Sequence, residues 1–200
     1  NDPSTTKLIL LTGDWSLLWF YRGASILQYT NTIFPLFPSK AKLQNITFDE
    51  KGKLKRDPYP HGWDTFDWGI YDEMRDIRKY TYVEVGKKFN VTWKAIKMRF
   101  DSILTQCKVF VSFFPLGYYR YDHILMTFKT DYEIGLENAS KKVDRTSFLW
   151  KFEDTIILVV HYPPEESHNG IALRFAELEE MGLIRNLKVS TPIKYHISVI

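Results

Sequence analysis

Between Arg75 and Arg99 stand eight basic residues (Arg75, Arg78, Lys79, Lys87, Lys88, Lys94, Lys97 and Arg99) and two acidic ones, Asp76 and Glu84. A local net charge of +6 over that stretch is the electrostatic footprint of phosphate contact. The whole-chain charge of +3 is too mild to imply it alone. Within the cluster, Thr92, Trp93, Lys94 and Lys97 are candidates to reach base edges or the adjoining backbone of a duplex. Lys79, Lys87, Lys88 and Arg99 are candidates to hold phosphates.

Such side chains need rigid elements to aim them, and the local sequence supplies those. Thr81 followed three residues later by Glu84 is a capping box, so a helix starts there. Val85 and Phe89 give it an apolar stripe at i, i+4 spacing. Gly86 suits a close crossing with a second helix. Asn90 suits the left-handed residue that ends the first helix. Thr92 caps the second, with Ile96, Phe100 and Ile103 on its buried face and Trp93, Lys94, Lys97 and Asp101 on its outer one. Helix, tight turn and helix with a basic outer face is the geometry that enters a major groove.

Other chemistries leave little trace. No phosphate loop, dinucleotide fingerprint or nucleophile elbow occurs. Five histidines (His61, His123, His161, His168 and His196) are scattered, none paired at i, i+4 with another ligand type on an expected helix. His123 and His161 fall in neighbouring predicted strands and can face each other. The single cysteine, Cys107, excludes an internal disulfide and a multi-cysteine zinc site, and it fits a reducing cytoplasm. No metal or cofactor is expected. No run approaches the roughly 20 apolar residues a membrane helix needs, so no membrane partner is expected either. Asn45, Asn90 and Asn138 each open a glycosylation-type triplet, a motif common by chance. The start at Asn1-Asp-Pro-Ser, without methionine, reads as that of a fragment of a longer product.

Residues 51–63, charged and rich in Pro and Gly, read as a linker. Phe66, Ile70, Met74 and Ile77 mark a helix after it, and Cys107–Phe114 reads as a connecting strand or wing. From residue 118 onward the expected order is strand 119–129, helix 132–143, strands 147–152 and 155–162 about Glu153-Asp154, a helix stopping at Gly182, and strand 187–196. Pro192 suggests an edge position for that last strand. Strand, helix, strand, strand, helix, strand is the ferredoxin-like order.

A helix-turn-helix followed by such a module resembles the leucine-responsive and asparagine-operon regulators, the feast/famine proteins of archaea and bacteria. Glu84-Val-Gly-Lys-Lys88 stands at the family's second helix. Val91-Thr92 stands at its helix entry, and Ile96, Arg99 and Ile103 at its apolar, arginine and apolar positions. Phe152-Glu-Asp154 looks like its hairpin, with Lys151 where the family has glycine, and Met181-Gly182 resembles the turn after its last helix. The resemblance implies an α+β fold. A winged helix-turn-helix DNA-binding domain (64–117) would precede a ferredoxin-like βαββαβ dimerisation and effector domain (118–200). Thr6–Arg22 aligns with Thr146–Tyr162, sharing Thr6/Thr146, Asp14/Asp154 and Leu18/Leu158. Residues 1–50 are therefore expected to be a partial ferredoxin-like segment, with 24–37 as its helix and 42–49 as its last strand.

The function implied is that of a non-enzymatic, sequence-specific regulator of transcription. It would bind double-stranded DNA as a homo-oligomer, with a small-molecule effector where one exists. Two alternatives remain at this stage. Siroheme decarboxylases resemble the same plan, and their tetrapyrrole chemistry would draw here on His123, His161 and Arg120. A non-specific chromatin protein would need only the basic face.

Overall fold

The computed structural model describes residues 5–21, 27–76 and 79–197. The chain divides into two compact units, one built from 1–57 with 110–199 and the other from 58–109.

The larger unit is organised by one antiparallel seven-stranded sheet in the order β2-β1-β7-β4-β6-β5-β3. Its strands are β1 (Thr5–Gly13), β2 (Leu17–Tyr21), β3 (Leu27–Ile33), β4 (Asp122–Lys129), β5 (Ser147–Phe152), β6 (Thr155–Tyr162) and β7 (Arg185–Ile197). Three helices lie between β3 and β4 in the chain: α1 (Thr65–Met74), α2 (Tyr82–Phe89) and α3 (Trp93–Leu104). The second half adds α4 (Glu133–Ser140) and α5 (His168–Glu180).

Because side chains alternate across a strand, each central strand feeds two cores. Ile124, Met126 and Phe128 of β4, with Ile156, Leu158 and Val160 of β6, pack with Leu136, Ile171, Phe175 and Leu178 of α4 and α5. Leu125, Ile157 and Val159 turn the other way and join Ile9 and Leu11 of β1. Phe20 of β2 meets Trp150 and Phe152 of β5, at 5.3 and 5.9 Å between ring centroids. Four strands separate β2 from β5 in the sheet, so this contact requires the sheet to curl on itself.

This single curled sheet overturns the expected plan of a winged helix-turn-helix domain, a ferredoxin-like domain and a partial ferredoxin-like segment ahead of both. The first strands are not a separate module: β1 runs along β7 from Lys7↔Ile197 to Gly13↔Ser190, and β3 along β5 from Leu27↔Phe152 to Ile33↔Ser147. Residues 27–33, expected as helix, are strand because their backbone groups find β5. Residues 42–49, expected as strand, form a short 3-10 turn at Leu43–Asn45 that buries Leu43. No wing forms either, since 108–114 has no regular structure. Phe113 instead exchanges hydrogen bonds with Thr146 and packs on Phe37 at 5.1 Å. β7 is internal rather than an edge, and Pro192 is accommodated where the β1–β7 register shifts between Leu10 and Leu11.

Much of the expected linker is fastened down. Glu133, fully buried at the start of α4, accepts from Leu54 N at 2.8 Å and from Lys151 Nζ at 2.7 Å. Gly52, at φ +152°, lies against Ile134, and a Cβ there would stand 2.6 Å from its Cδ1.

Candidate functional site

In the unit formed by 58–109, Ile70, Met74, Val85, Ile96, Phe100 and Ile103 close one small core. Burying Ile96 alone removes enough apolar surface to contribute about 1.5–3 kcal/mol. The helix limits follow from local chemistry. Thr81 Oγ1 accepts from Glu84 N while Glu84 Oε2 accepts from Thr81 N at 2.7 Å, the reciprocal box at the start of α2. These bonds hold the Glu84 carboxyl below its usual range, the backbone bond from Thr81 being the largest cause. Asn90 ends α2 in the left-handed conformation, φ 54°, ψ 43°. Thr92 caps α3 by accepting from Ala95 N. A Cβ on Gly86 would stand 2.8 Å from Val91 O, so the turn between α2 and α3 passes against bare backbone. Asp64 and Asp67 form a further capping box, at α1, not anticipated from the sequence. Of the expected α1 face, Ile77 lies outside the described residues, as does Arg78 of the basic cluster.

The outer face of α3 carries Trp93, Lys94, Lys97, Met98 and Asp101, all exposed, with Trp93 at 47%. The basic residues split into two sets. Lys88 pairs with Glu73, and Lys97 pairs with Asp101 one turn on, which raises the Lys97 pKa. Arg99 reaches both carboxylate oxygens of buried Asp67 at 3.1 and 3.0 Å, and Asp64 at 3.2 Å. Its guanidinium also lies 5.7 Å from the Phe66 ring centroid. Arg99, expected on phosphate, is thus a clamp between α3 and the start of α1. Lys79, Lys87 and Lys94 are exposed and form no ion pair among the described residues. Lys79 and Lys94 lie over the rings of Tyr80 and Trp93, at 5.4 and 5.9 Å. Thr92 is exposed but its hydroxyl is engaged in the cap.

Counting the acids of α1 changes the charge picture. Residues 58–109 hold nine bases and seven acids, a net of +2. The window from 75 to 99 omitted Asp64, Asp67, Asp72 and Glu73, each of which pairs with a base of the cluster. The cation density open to a ligand is therefore concentrated at Lys79, Lys87 and Lys94.

In the sheet unit, His123 and His161 do face each other, paired in register between β4 and β6 with ring centroids 5.8 Å apart. His161 is 1% exposed. Phe114, Phe148 and Tyr118 surround it at 4.8, 5.5 and 5.7 Å. Burial chiefly, and His123 next, press its pKa down to about 3, so its ring is neutral. Burial lowers His123 as well. His123 Nε2 and His161 Nδ1 are buried and meet no hydrogen-bond partner among the described residues. Arg120 is exposed on the short turn before β4. No group of three or more His, Cys, Asp or Glu residues is placed to hold a metal among the described residues. No described helix is long and apolar enough to cross a membrane.

No family model matches the chain, and no curated protein does. Among solved structures it is similar to the one described as the crystal structure of PH0061. The two are 15% identical, with a TM-score of 0.47, over 68% of this chain and 95% of that one. A likeness of that size carries no inference about function.

Proposed function

We propose that residues 58–109 bind double-stranded DNA through the outer face of α3, and that the chain is a sequence-specific regulator of transcription. One observation carries this. Lys79 ahead of α2, Lys87 in its last turn and Lys94 in the first turn of α3 are exposed and outside the ion pairs that occupy Lys88, Lys97 and Arg99. They bracket the exposed Thr92 and Trp93. Cations left without partners on a rigid surface suit phosphates, and an exposed indole beside them suits a groove wall or a base edge. Trp93, Lys94 and Lys97 are the base-edge candidates. Lys97 must first leave Asp101, a weak exposed pair that opens readily. A single reading helix gives limited specificity, so the functional form would be a homo-oligomer in the cytoplasm, with room for a small-molecule effector. The tetrapyrrole alternative has less support, since Phe114 and Tyr118 pack directly on His161, where a macrocycle would have to lie.

The test is binding of the full chain to sites selected from a random duplex pool, read by fluorescence anisotropy against salt. Lys87→Ala with Lys94→Ala should weaken binding and lower the salt slope by about one unit for each lysine that meets a phosphate. Loss of sequence preference would follow Trp93→Ala. Unchanged binding by the double lysine variant would refute the assignment, and equal affinity for unrelated duplexes would favour a non-specific chromatin protein.

A further inference from the structure

On the face of the sheet that carries Ile9 and Leu11, six side chains from five strands form a closed ring. Lys7 of β1 lies 5.8 Å from the ring centroid of Tyr195 in β7, and Tyr195 lies 5.4 Å from His123 in β4. His123 meets His161 of β6, which meets Phe148 of β5 at 5.5 Å. Phe148 lies 6.3 Å from Trp150, nearly parallel at 9°, and Lys7 Nζ closes the circuit 4.7 Å from the Trp150 centroid. Only His161 of the six is fully buried; the other five are half-buried, so the ring opens on one side. We propose that it binds a small aromatic carboxylate, with the acid group at Lys7 Nζ and the ligand ring laid along Trp150 and Phe148.

Two independent features point there. The Lys7 ammonium has exchanged much of its water for three ring faces, those of Trp150, Phe20 and Tyr195. It makes no ion pair among the described residues, and burial lowers its pKa. Cation–π contacts offset that desolvation only in part, whereas an anion would offset it directly. The second feature is the pair of orphaned imidazole nitrogens, His123 Nε2 and His161 Nδ1. Buried polar atoms are almost always hydrogen-bonded, and a ligand oxygen would serve both neutral rings. The ring contains no Asp or Glu to pair with an ammonium, and Lys7 already occupies its aromatic faces with a positive charge. The ligand is therefore an acid without an amino group. The site is independent of α3 and of the DNA assignment.

Calorimetric titration of the full chain with benzoate and 4-hydroxybenzoate tests this, with benzylamine as the cationic control. Saturable one-to-one binding of the acids but not the amine is expected, with 4-hydroxybenzoate tighter because its hydroxyl can reach the imidazoles. Lys7→Met should weaken binding at least about tenfold, about 1.4 kcal/mol. Lys7→Arg should retain it, and Lys87→Ala should leave it unchanged. The thermal midpoint of each variant shows whether the fold is kept. No saturation below about 1 mM, equal binding of benzylamine, or undiminished binding by folded Lys7→Met would overturn the proposal. In each of those cases Lys7 is only a stem covering aromatic surface.

Discussion

Replacing Arg99 by alanine separates two roles that the sequence alone confuses. As a phosphate contact, Arg99 could be removed with little loss of stability and a fall of about one unit in the salt slope of DNA binding. As the clamp described above, its loss strands the Asp67 carboxylate, whose side chain is 8% exposed, against the start of α1. Removing one partner of a fully buried pair costs about 3–5 kcal/mol. The Arg99 side chain is 40% exposed, however, so water replaces part of the interaction. A figure of about 1.5–3 kcal/mol is the expectation after that discount. The double variant Arg99→Ala with Asp67→Asn should recover a substantial part, because the stranded charge is gone. Urea denaturation followed by tryptophan emission, to which Trp63 beside α1 and Trp68 within it contribute, set against the salt dependence of DNA binding for each folded variant, reads both quantities. A fully stable Arg99→Ala protein with a reduced salt slope would refute the clamp.

Three further outcomes follow from the packing and the titrating groups. His161 is neutral and buried in the folded chain with a pKa near 3, whereas in the unfolded chain it takes up a proton near pH 6.5. Its contribution is therefore complete above that unfolded value and is lost as pH falls from about 6.5 towards 3. Stability at pH 5 should be about 2 kcal/mol below that at pH 7, and His161→Phe should flatten the difference; an unchanged slope would remove His161 as its cause. Gly86→Ala gains about 1 kcal/mol of helix propensity but puts a methyl against the Val91 carbonyl, an overpacking cost of about 1–3 kcal/mol, so a net loss is expected in denaturant titration. A Gly86→Ala chain more stable than the parent would show that the turn yields there. Ile9→Ala should cost about 2–5 kcal/mol, since Ile9 is completely buried beneath the curled sheet; a negligible change would detach β1 from the core.

What could be read from sequence was what is decided within a few residues. The Thr81–Glu84 box, the left-handed Asn90, the Thr92 cap and the stripe Ile96, Phe100, Ile103 all depend on neighbours within a turn or two. The hairpin of β5 and β6 was legible for the same reason, Glu153 turning at φ 52° between two runs of branched and aromatic residues. What failed depended on distant partners. Residues 27–33 read as helix only through the apparent repeat of residues 146–162, and β5, which makes them a strand, lies far along the chain. Arg99 and Lys88 look like free cations until α1 brings Asp67 and Glu73 to them. The ring around Lys7 had no linear signal, since its members come from five strands and share only a face of the sheet. Pro192 misled because a single proline marks an edge only when no register shift absorbs it.

The sheet is also a schedule. Ile9 of β1 lies opposite Tyr195 of β7, and Leu27 of β3 lies opposite Phe152 of β5. At about 5–20 residues synthesised per second, β1 can pair with β2 almost at once but waits roughly ten seconds or more before β7, its partner on the other side, has been made. Meanwhile the 58–109 unit, whose core residues all lie within its own span, has every residue that core needs and can fold during translation. The apolar runs of β1 and β2 must therefore be kept from premature pairing while that shorter unit is already complete. In this chain, the strand synthesised after all the others is what converts the first from an aggregation hazard into a core.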